Sequence, residues 1–222
     1  MKRSALKRWI PFRLAALVAP LIAAWPVAVK AAPLWWDNVG GTANDWGGAA
    51  NWSTVVGGGT TPGAIPGAAD TATFNASSLT TAQTVNLNAD RSLLGLIFGS
   101  GAAVNLQGGG TNRVLTLGLD GIVKSGAGAV TVGSATTGQN VSILLGANQA
   151  WANNNNAGAL TVLNGVTSNA AGARVLTLGG TSTTASTVSG LIGNGAGTVS
   201  VTKAVTEAAH ECKASAHHSH SS

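Results

Sequence analysis

This sequence of 222 residues contains no tyrosine, one cysteine and one methionine, and only 9% of its residues are charged. Before residue 204 it also contains no histidine and no glutamate. The lack of histidine and cysteine in this region excludes the Ser–His and Cys–His pairs of many nucleophilic enzymes. The lone Cys212 cannot form an internal disulfide, so packing and backbone hydrogen bonds must hold the fold together.

Basic residues are scarce outside the first thirty positions. Six of the twelve lysines and arginines lie there, which leaves six basic residues against seven acidic residues from position 32 onward. The high isoelectric point therefore arises from the leading segment, and nucleic acid is not expected as a partner.

The leading segment resembles an export signal. Its basic part ends at Arg13, an apolar run covers residues 14–29, and small residues follow in "VKAA" (29–32). The pattern predicts a cleaved signal peptide over residues 1–31. A membrane anchor is the alternative, but the run has sixteen residues and two prolines, whereas a spanning helix needs about 20 apolar residues. We expect Sec-type export to the medium or the outer surface of a bacterium, with membrane contact only during export.

Short runs of alternating apolar and polar residues recur from residue 84 onward. Gly, Asn and Ser clusters separate the runs, as turns between half-buried strands require. The runs include "TVNLN" (84–88), "AVNLQ" (103–107), "AVTVG" (129–133), "ALTVL" (159–163) and "TVSVT" (198–202). The pattern predicts an all-β fold.

Two sequence elements recur in the same order. "RVLTLG" occupies residues 113–118 and 174–179, and "GAGAVTV" (126–132) returns as "GAGTVSV" (195–201). This repetition favours a parallel β-solenoid, with a sandwich of two similar hairpins as the alternative. Coils of about 20 residues would make the 61-residue spacing three coils. In such a stack we expect the asparagines of "WANNNNAG" (151–158) to hydrogen-bond between coils, with a flexible loop as the alternative.

The order of these segments resembles the autotransporter-associated β-strand repeat proteins, also called passenger-associated transport repeat proteins. The resemblance covers residues 34–203 and begins with "WWDNVGG…DWGGAANW", "PGAADTATFN" (66–75) and "NADRSLLGLIF" (88–98). It implies a right-handed β-helix-like solenoid in the N-terminal part of an exported passenger. It also implies a non-enzymatic role as a surface stalk or adhesin-type module, with cell-surface or extracellular glycans or proteins as partners.

Four tryptophans are concentrated in residues 35–52: Trp35, Trp36, Trp46 and Trp52. Indole rings serve as stacking platforms for sugars, so a carbohydrate-binding module is one hypothesis. The segment also stands at the head of the predicted solenoid, where the first coil has no neighbour and needs an atypical cap. We favour the Trp-rich N-terminal cap and keep the sugar-binding platform as the alternative.

The chain thus divides into a signal peptide (1–31), a cap segment (32–75), solenoid repeats (76–203) and a tail (204–222). The tail holds all four histidines, the cysteine and both glutamates, without a strand pattern. This break in composition predicts disorder and a truncated or frameshifted reading frame. His210, Cys212 and His217 are among its metal-ligand residue types, but they lack the fixed spacing of a structural site, so no metal is expected.

No residue is assigned as catalytic or cofactor-binding, and no cofactor is expected. A polysaccharide-cleaving β-helix needs carboxylates that converge from matching positions on neighbouring coils. The aspartates of the body show no such common register. Such a polysaccharide-active enzyme is the less favoured alternative. The adjacent Asp90 and Arg91 are interpreted as a charged pair at a turn rather than a catalytic pair.

Overall fold

The computed structural model describes residues 33–38, 44–58, 64–76 and 78–204. The predicted signal peptide, and the predicted tail after residue 204, lie outside the described residues. The described chain forms strands and one 3-10 turn, Ala49–Asn51. In chain order the strands are β1 (Leu34–Trp36), β2 (Trp52–Ser53), β3 (Thr71–Phe74), β4 (Gln83–Asn86), β5 (Arg91–Phe98), β6 (Val104–Gln107), β7 (Arg113–Lys124), β8 (Val130–Val132), β9 (Val141–Leu145), β10 (Gln149–Asn153), β11 (Leu160–Val162), β12 (Val166–Ser168), β13 (Ala173–Gly179), β14 (Thr187–Val188), β15 (Ile192–Gly195) and β16 (Thr198–Lys203).

The strands stack in parallel on three faces. The first face runs through β1, β3, the second half of β5, the second half of β7, β10, β13 and β16. The second face stacks β4, β6, β8, β11 and β14. The third face stacks the first halves of β5 and β7 with β9, β12 and β15. This arrangement is a parallel β-solenoid of about five turns, so the predicted fold class is confirmed.

The coils are longer than the sequence suggested. Four residues that occupy equivalent positions on the first face, Leu96, Ile122, Trp151 and Leu178, are 26, 29 and 27 residues apart. The first copy of "RVLTLG" lies in the third-face half of β7, whereas the second copy lies in β13 on the first face. The 61-residue spacing is therefore two coils and one face, and the expected three coils are wrong.

Alternate residues of each strand point into a narrow apolar interior. On the second face Val85, Leu106, Val132 and Val162 are in register, and each is fully buried. The burial patterns of most strands alternate accordingly, as for a strand with one face on the core. Small branched side chains fill this interior because three faces meet over a short distance.

Asparagine side chains join neighbouring coils at the turns, as predicted. The Asn154 and Asn156 carboxamide oxygens accept the backbone N–H groups of Thr181 and Thr183 at 3.2 and 2.7 Å. The Asn164 oxygen accepts the N–H groups of Ser134 and Val141 at 3.1 and 2.9 Å. These contacts support the stacked interpretation of the asparagine-rich segment over that of a flexible loop.

A bend in the middle of β7 lets one strand serve two faces. The pairing with β5 shifts register there, with Leu93 opposite Leu117 but Gly95 opposite Gly121. Gly121 has a φ of 59°, and a Cβ at this position would overlap the carbonyl oxygen of Ala150 in the next coil. Only glycine combines this backbone conformation with so close an approach.

The two ends of the solenoid differ. At the N-terminal end the short β2 pairs antiparallel with β1 and places Trp52 opposite Trp36. At the other end β14, β15 and β16 each pair on one side only among the described strands. Two large apolar side chains near that end, Leu191 and Val201, are 82% and 49% exposed. Within the described residues, one end of the solenoid is therefore closed, and the other, the open end, has no further strand paired on it.

Candidate functional site

Three of the four predicted site tryptophans lie inside the first coils. Trp36, Trp46 and Trp52 have no exposed surface. Trp35 occupies the intervening position of β1 and is half-buried, because successive side chains of a strand point to opposite sides. The structure therefore brings three of the four rings together and leaves the fourth apart.

The three buried rings form one aromatic cluster with Phe74. The Trp52 ring lies edge-on between the other two indoles, with centroids 5.1 Å from Trp36 and 4.6 Å from Trp46. The Phe74 ring lies about 6 Å from all three indoles. Phe74 also stacks on Phe98 of the next coil at 5.0 Å and 14°. Edge-to-face and offset contacts of this kind are favourable for aromatic rings.

Hydrogen bonds fix two of the three buried indoles. The Trp52 indole donates to the backbone oxygen of Trp46 at 2.8 Å, and the Trp36 indole donates to Gln83 at 3.5 Å. Among the described residues, the indole nitrogen of Trp46 has no hydrogen-bond partner. Burying an unpaired donor costs about 1–3 kcal/mol, so the packing of this ring must offset that cost.

A sugar stacks on an exposed ring face, which the three buried tryptophans do not present. In this arrangement they pack as a plug against the first coil, at the end that β2 closes. Only Trp35 among the four predicted residues has surface that a carbohydrate could contact.

Four aspartates of the body hold the backbone or a hydroxyl group at separate places. The Asp70 carboxylate accepts the N–H of Gly67 at 2.8 Å, and that of Asp90 accepts the N–H of Val114 at 2.9 Å. Asp120 accepts the Thr71 hydroxyl at 3.0 Å, and Asp45 accepts the N–H of Gly47 at 2.8 Å. Asp37 is buried beside the tryptophan cluster. Within the described residues no group of three His, Cys, Asp or Glu side chains could hold a metal ion.

Arg91 interacts electrostatically with Asp45, whereas its chain neighbour Asp90 accepts the backbone N–H of Val114. The Asp45 carboxylate accepts the N–H of Gly47 and the amide of Asn88, both at 2.8 Å. The Arg91 guanidinium donates twice to the backbone oxygen of Leu87, at 3.1 and 3.2 Å. Burial lowers the pKa of Arg91, the Asp45 carboxylate opposes that shift, and the Arg113 guanidinium adds to it. Arg91 thus bonds to the turn at Leu87 and interacts with Asp45 of the first coil.

Sequence reasoning missed a buried polar pair, Lys124 and Asn153. They are paired residues of β7 and β10, and they are 0% and 3% exposed. The alternation of apolar and polar residues contained the signal. Lys124 is two residues after the inward Ile122, and Asn153 is two residues after the inward Trp151.

Two cavities lie at the open end of the solenoid. The first, of about 260 Å³, is lined by apolar side chains that include Trp151, Leu160 and Leu178, with Asn153 and Ser186 among its polar residues. The second, of about 600 Å³, also includes Asn153 and extends to Lys203. The part of the chain that the structure describes contains no helix long and apolar enough to span a membrane.

No protein-family model, curated protein or solved structure matches this chain.

Proposed function

We propose that this chain is a non-enzymatic segment of an exported bacterial β-helix passenger, and that it acts as a surface stalk or adhesin-type structural module. The stacked coils act as a stiff spacer. The turns and outer faces of the solenoid contact glycans or proteins outside the cell. The proposal requires no cofactor.

The observation that carries this proposal is the unbroken parallel ladder of the first face. It runs from β1 to β16, so backbone hydrogen bonds connect every coil to the next along the axis of the rod. Neighbouring strands lie about 4.8 Å apart in such a ladder, and stretching the rod along its axis must break several hydrogen bonds per coil at once.

Two further features support a structural role. The carboxylates of Asp45, Asp70 and Asp90 bond to backbone or side-chain groups at turns, where they stabilise the local geometry. The segment order also resembles the autotransporter-associated repeats, whose passengers are exported β-helices. The apolar run of residues 14–29 supports export in the same way.

Export can be tested with an epitope tag inserted in the exposed turn at residues 135–137 between β8 and β9. Expressed in a Gram-negative bacterium, the full chain should place the tag in the periplasm, the medium or the cell surface. A matched chain without residues 2–31 should retain the tag in the cytoplasm. Cytoplasmic retention of both chains, with a signal-bearing control protein exported normally, would contradict the proposal.

A further inference from the structure

A lysine occupies an interior position that other coils fill with an aromatic ring. On the first face Phe98 pairs with Lys124, and Lys124 pairs with Asn153, so the three side chains belong to three successive coils. Lys124 has no exposed surface, and Asn153 is 3% exposed. A lysine in this place is costly unless its amine is either well bonded or uncharged.

Both hydrogen-bond acceptors of the Lys124 amine are neutral. The Nζ atom donates to the backbone oxygen of Gly126 at 2.8 Å and to Oδ1 of Asn153 at 3.4 Å. Burial lowers the pKa of Lys124 below its usual value of 10.5. The neutral amine, which is the nucleophilic form of lysine, is therefore more abundant here than in an exposed lysine.

The carboxamide of Asn153 is held at both of its polar atoms. Its Oδ1 accepts the N–H of Asn155 at 3.2 Å in addition to the lysine amine. Its Nδ2 donates to the backbone oxygen of Gly158 at 3.1 Å and to the Ser186 hydroxyl at 3.2 Å. The carbonyl group is thus polarised and cannot rotate freely beside the amine.

We propose that Lys124 and Asn153 form an intramolecular isopeptide bond that links adjacent coils. The neutral Nζ moves from its place beside Oδ1 onto the Cγ carbon, and a new C–N bond forms. The Cγ–Nδ2 bond then breaks. One proton passes from Nζ to Nδ2, which leaves as ammonia, so no oxidant, reductant or further reactant is needed.

Groups around the pair can stabilise the developing charge, donate a proton and let ammonia escape. The N–H of Asn155 stabilises the negative charge that develops on Oδ1 during the attack, as donors in an oxyanion hole do. The Ser186 hydroxyl accepts a hydrogen bond from Nδ2 at 3.2 Å. It therefore lies beside the leaving nitrogen, to which it can donate a proton once the attack has turned that amide nitrogen into an amine. Both cavities of the open end are lined in part by Asn153, so ammonia has a route out.

The bond would connect β7 to β10 inside the solenoid. It would prevent these two coils from separating even when their hydrogen bonds break. The proposal rests on the buried pair alone and is independent of export or of a role as a stalk.

Tryptic digestion tests the proposal on the full, folded chain after incubation at mildly alkaline pH. Lys124 is the only lysine or arginine between Arg113 and Arg174. An unlinked chain gives peptides 114–124 and 125–174, which mass spectrometry separates. A linked chain resists cleavage after Lys124 and gives one peptide, 114–174, that is lighter than its unmodified mass by one ammonia.

Three variants serve as controls. Lys124→Arg and Asn153→Ala should show no linked peptide, whereas Asn154→Ala removes an exposed neighbouring carboxamide and should leave the link in place. Wild-type protein that yields only the two unlinked peptides, after incubation that leaves its circular dichroism unchanged, would overturn the proposal. So would an ammonia loss that persists in Lys124→Arg, because an asparagine can lose ammonia by cyclising on its own backbone.

Discussion

At the scale of residues, the N-terminal end depends on a few large side chains in a chain of small ones. Trp36, Trp46 and Trp52 are fully buried, and each indole removes about 150–250 Å² from water. At about 25 cal/mol per Å², each ring contributes up to about 4–6 kcal/mol of hydrophobic stabilisation. The rings therefore supply to the first coil the apolar contact that a preceding coil gives elsewhere.

We predict that Trp46→Ala lowers the free energy of unfolding by about 3–5 kcal/mol, because it leaves a cavity in the aromatic cluster. Part of the loss is offset because the variant also removes an unpaired buried indole nitrogen. Urea titration followed by circular dichroism measures the change. Val56→Ala, at a valine that is 74% exposed, should change stability by less than about 0.5 kcal/mol. Equal stability of Trp46→Ala and wild type would rule out the plug.

The sequence predicted this end better than it predicted the polar interior. The concentration of tryptophans at the head of a repeat array indicates a cap, since the first coil of any solenoid lacks a neighbour. The burial of Lys124 was harder to foresee, because charged residues are rarely buried and a lysine in a short strand is normally assigned to the outside. The alternation of inward and outward residues in β7 predicts an inward Lys124, against the general preference of lysine for the surface.

At the scale of elements, glycines set where strands of successive coils approach one another. The bend of β7 at Gly121 is the clearest case, since the strand crosses from the third face to the first face there. The left-handed backbone of Gly121 and the nearby carbonyl of Ala150 both exclude a side chain. The register of β10 on β7 therefore requires glycine at this position.

We predict that Gly121→Ala destabilises the protein by more than about 2 kcal/mol, because it adds left-handed strain to a clash with backbone. Two matched glycines separate these causes. Gly110 has a φ of 96° but open space around it, so Gly110→Ala should show the strain alone, about 1–2 kcal/mol. Gly101 has open space and no positive φ, so Gly101→Ala should be neutral or slightly stabilising. Thermal unfolding of the three variants ranks them, and the same melting temperature for all three would contradict the argument.

The strands themselves followed from alternation, but their arrangement in coils did not. Equivalent inward residues of the second face, Val85, Leu106, Val132 and Val162, are 21, 26 and 30 residues apart. Turn length varies freely because turns lie outside the core and contribute little to its packing. Two copies of "RVLTLG" could therefore settle on different faces, since each face requires only an apolar–polar alternation.

At the scale of the whole molecule, the two ends should differ in stability. Each coil contacts chiefly the coils before and after it, so a solenoid behaves as a row of units with neighbour terms. The first unit is plugged by the aromatic cluster and β2. In the last described coil, β14, β15 and β16 pair on one side only among the described strands. This coil therefore lacks the stabilising contact with a following coil.

We predict that backbone hydrogen exchange is slowest in β3 to β9 and becomes faster toward β14, β15 and β16. Local opening at the unpaired end needs fewer broken contacts than opening at the plugged end. Exchange followed by mass spectrometry of peptic fragments measures the gradient. An equal protection of β4 and β14, which lie at opposite ends of the second face, would show that the solenoid unfolds as a single unit.

At the open end, as far as the described residues go, β14, β15 and β16 present strand edges without a partner. A further coil paired with these edges would present the same edges again. The stacking itself does not fix the number of coils. The length of the solenoid can therefore change during evolution in units of one coil. Duplicating or deleting one coil changes the length by about 4.8 Å and leaves the plug, the cross-section and the remaining contacts as they were.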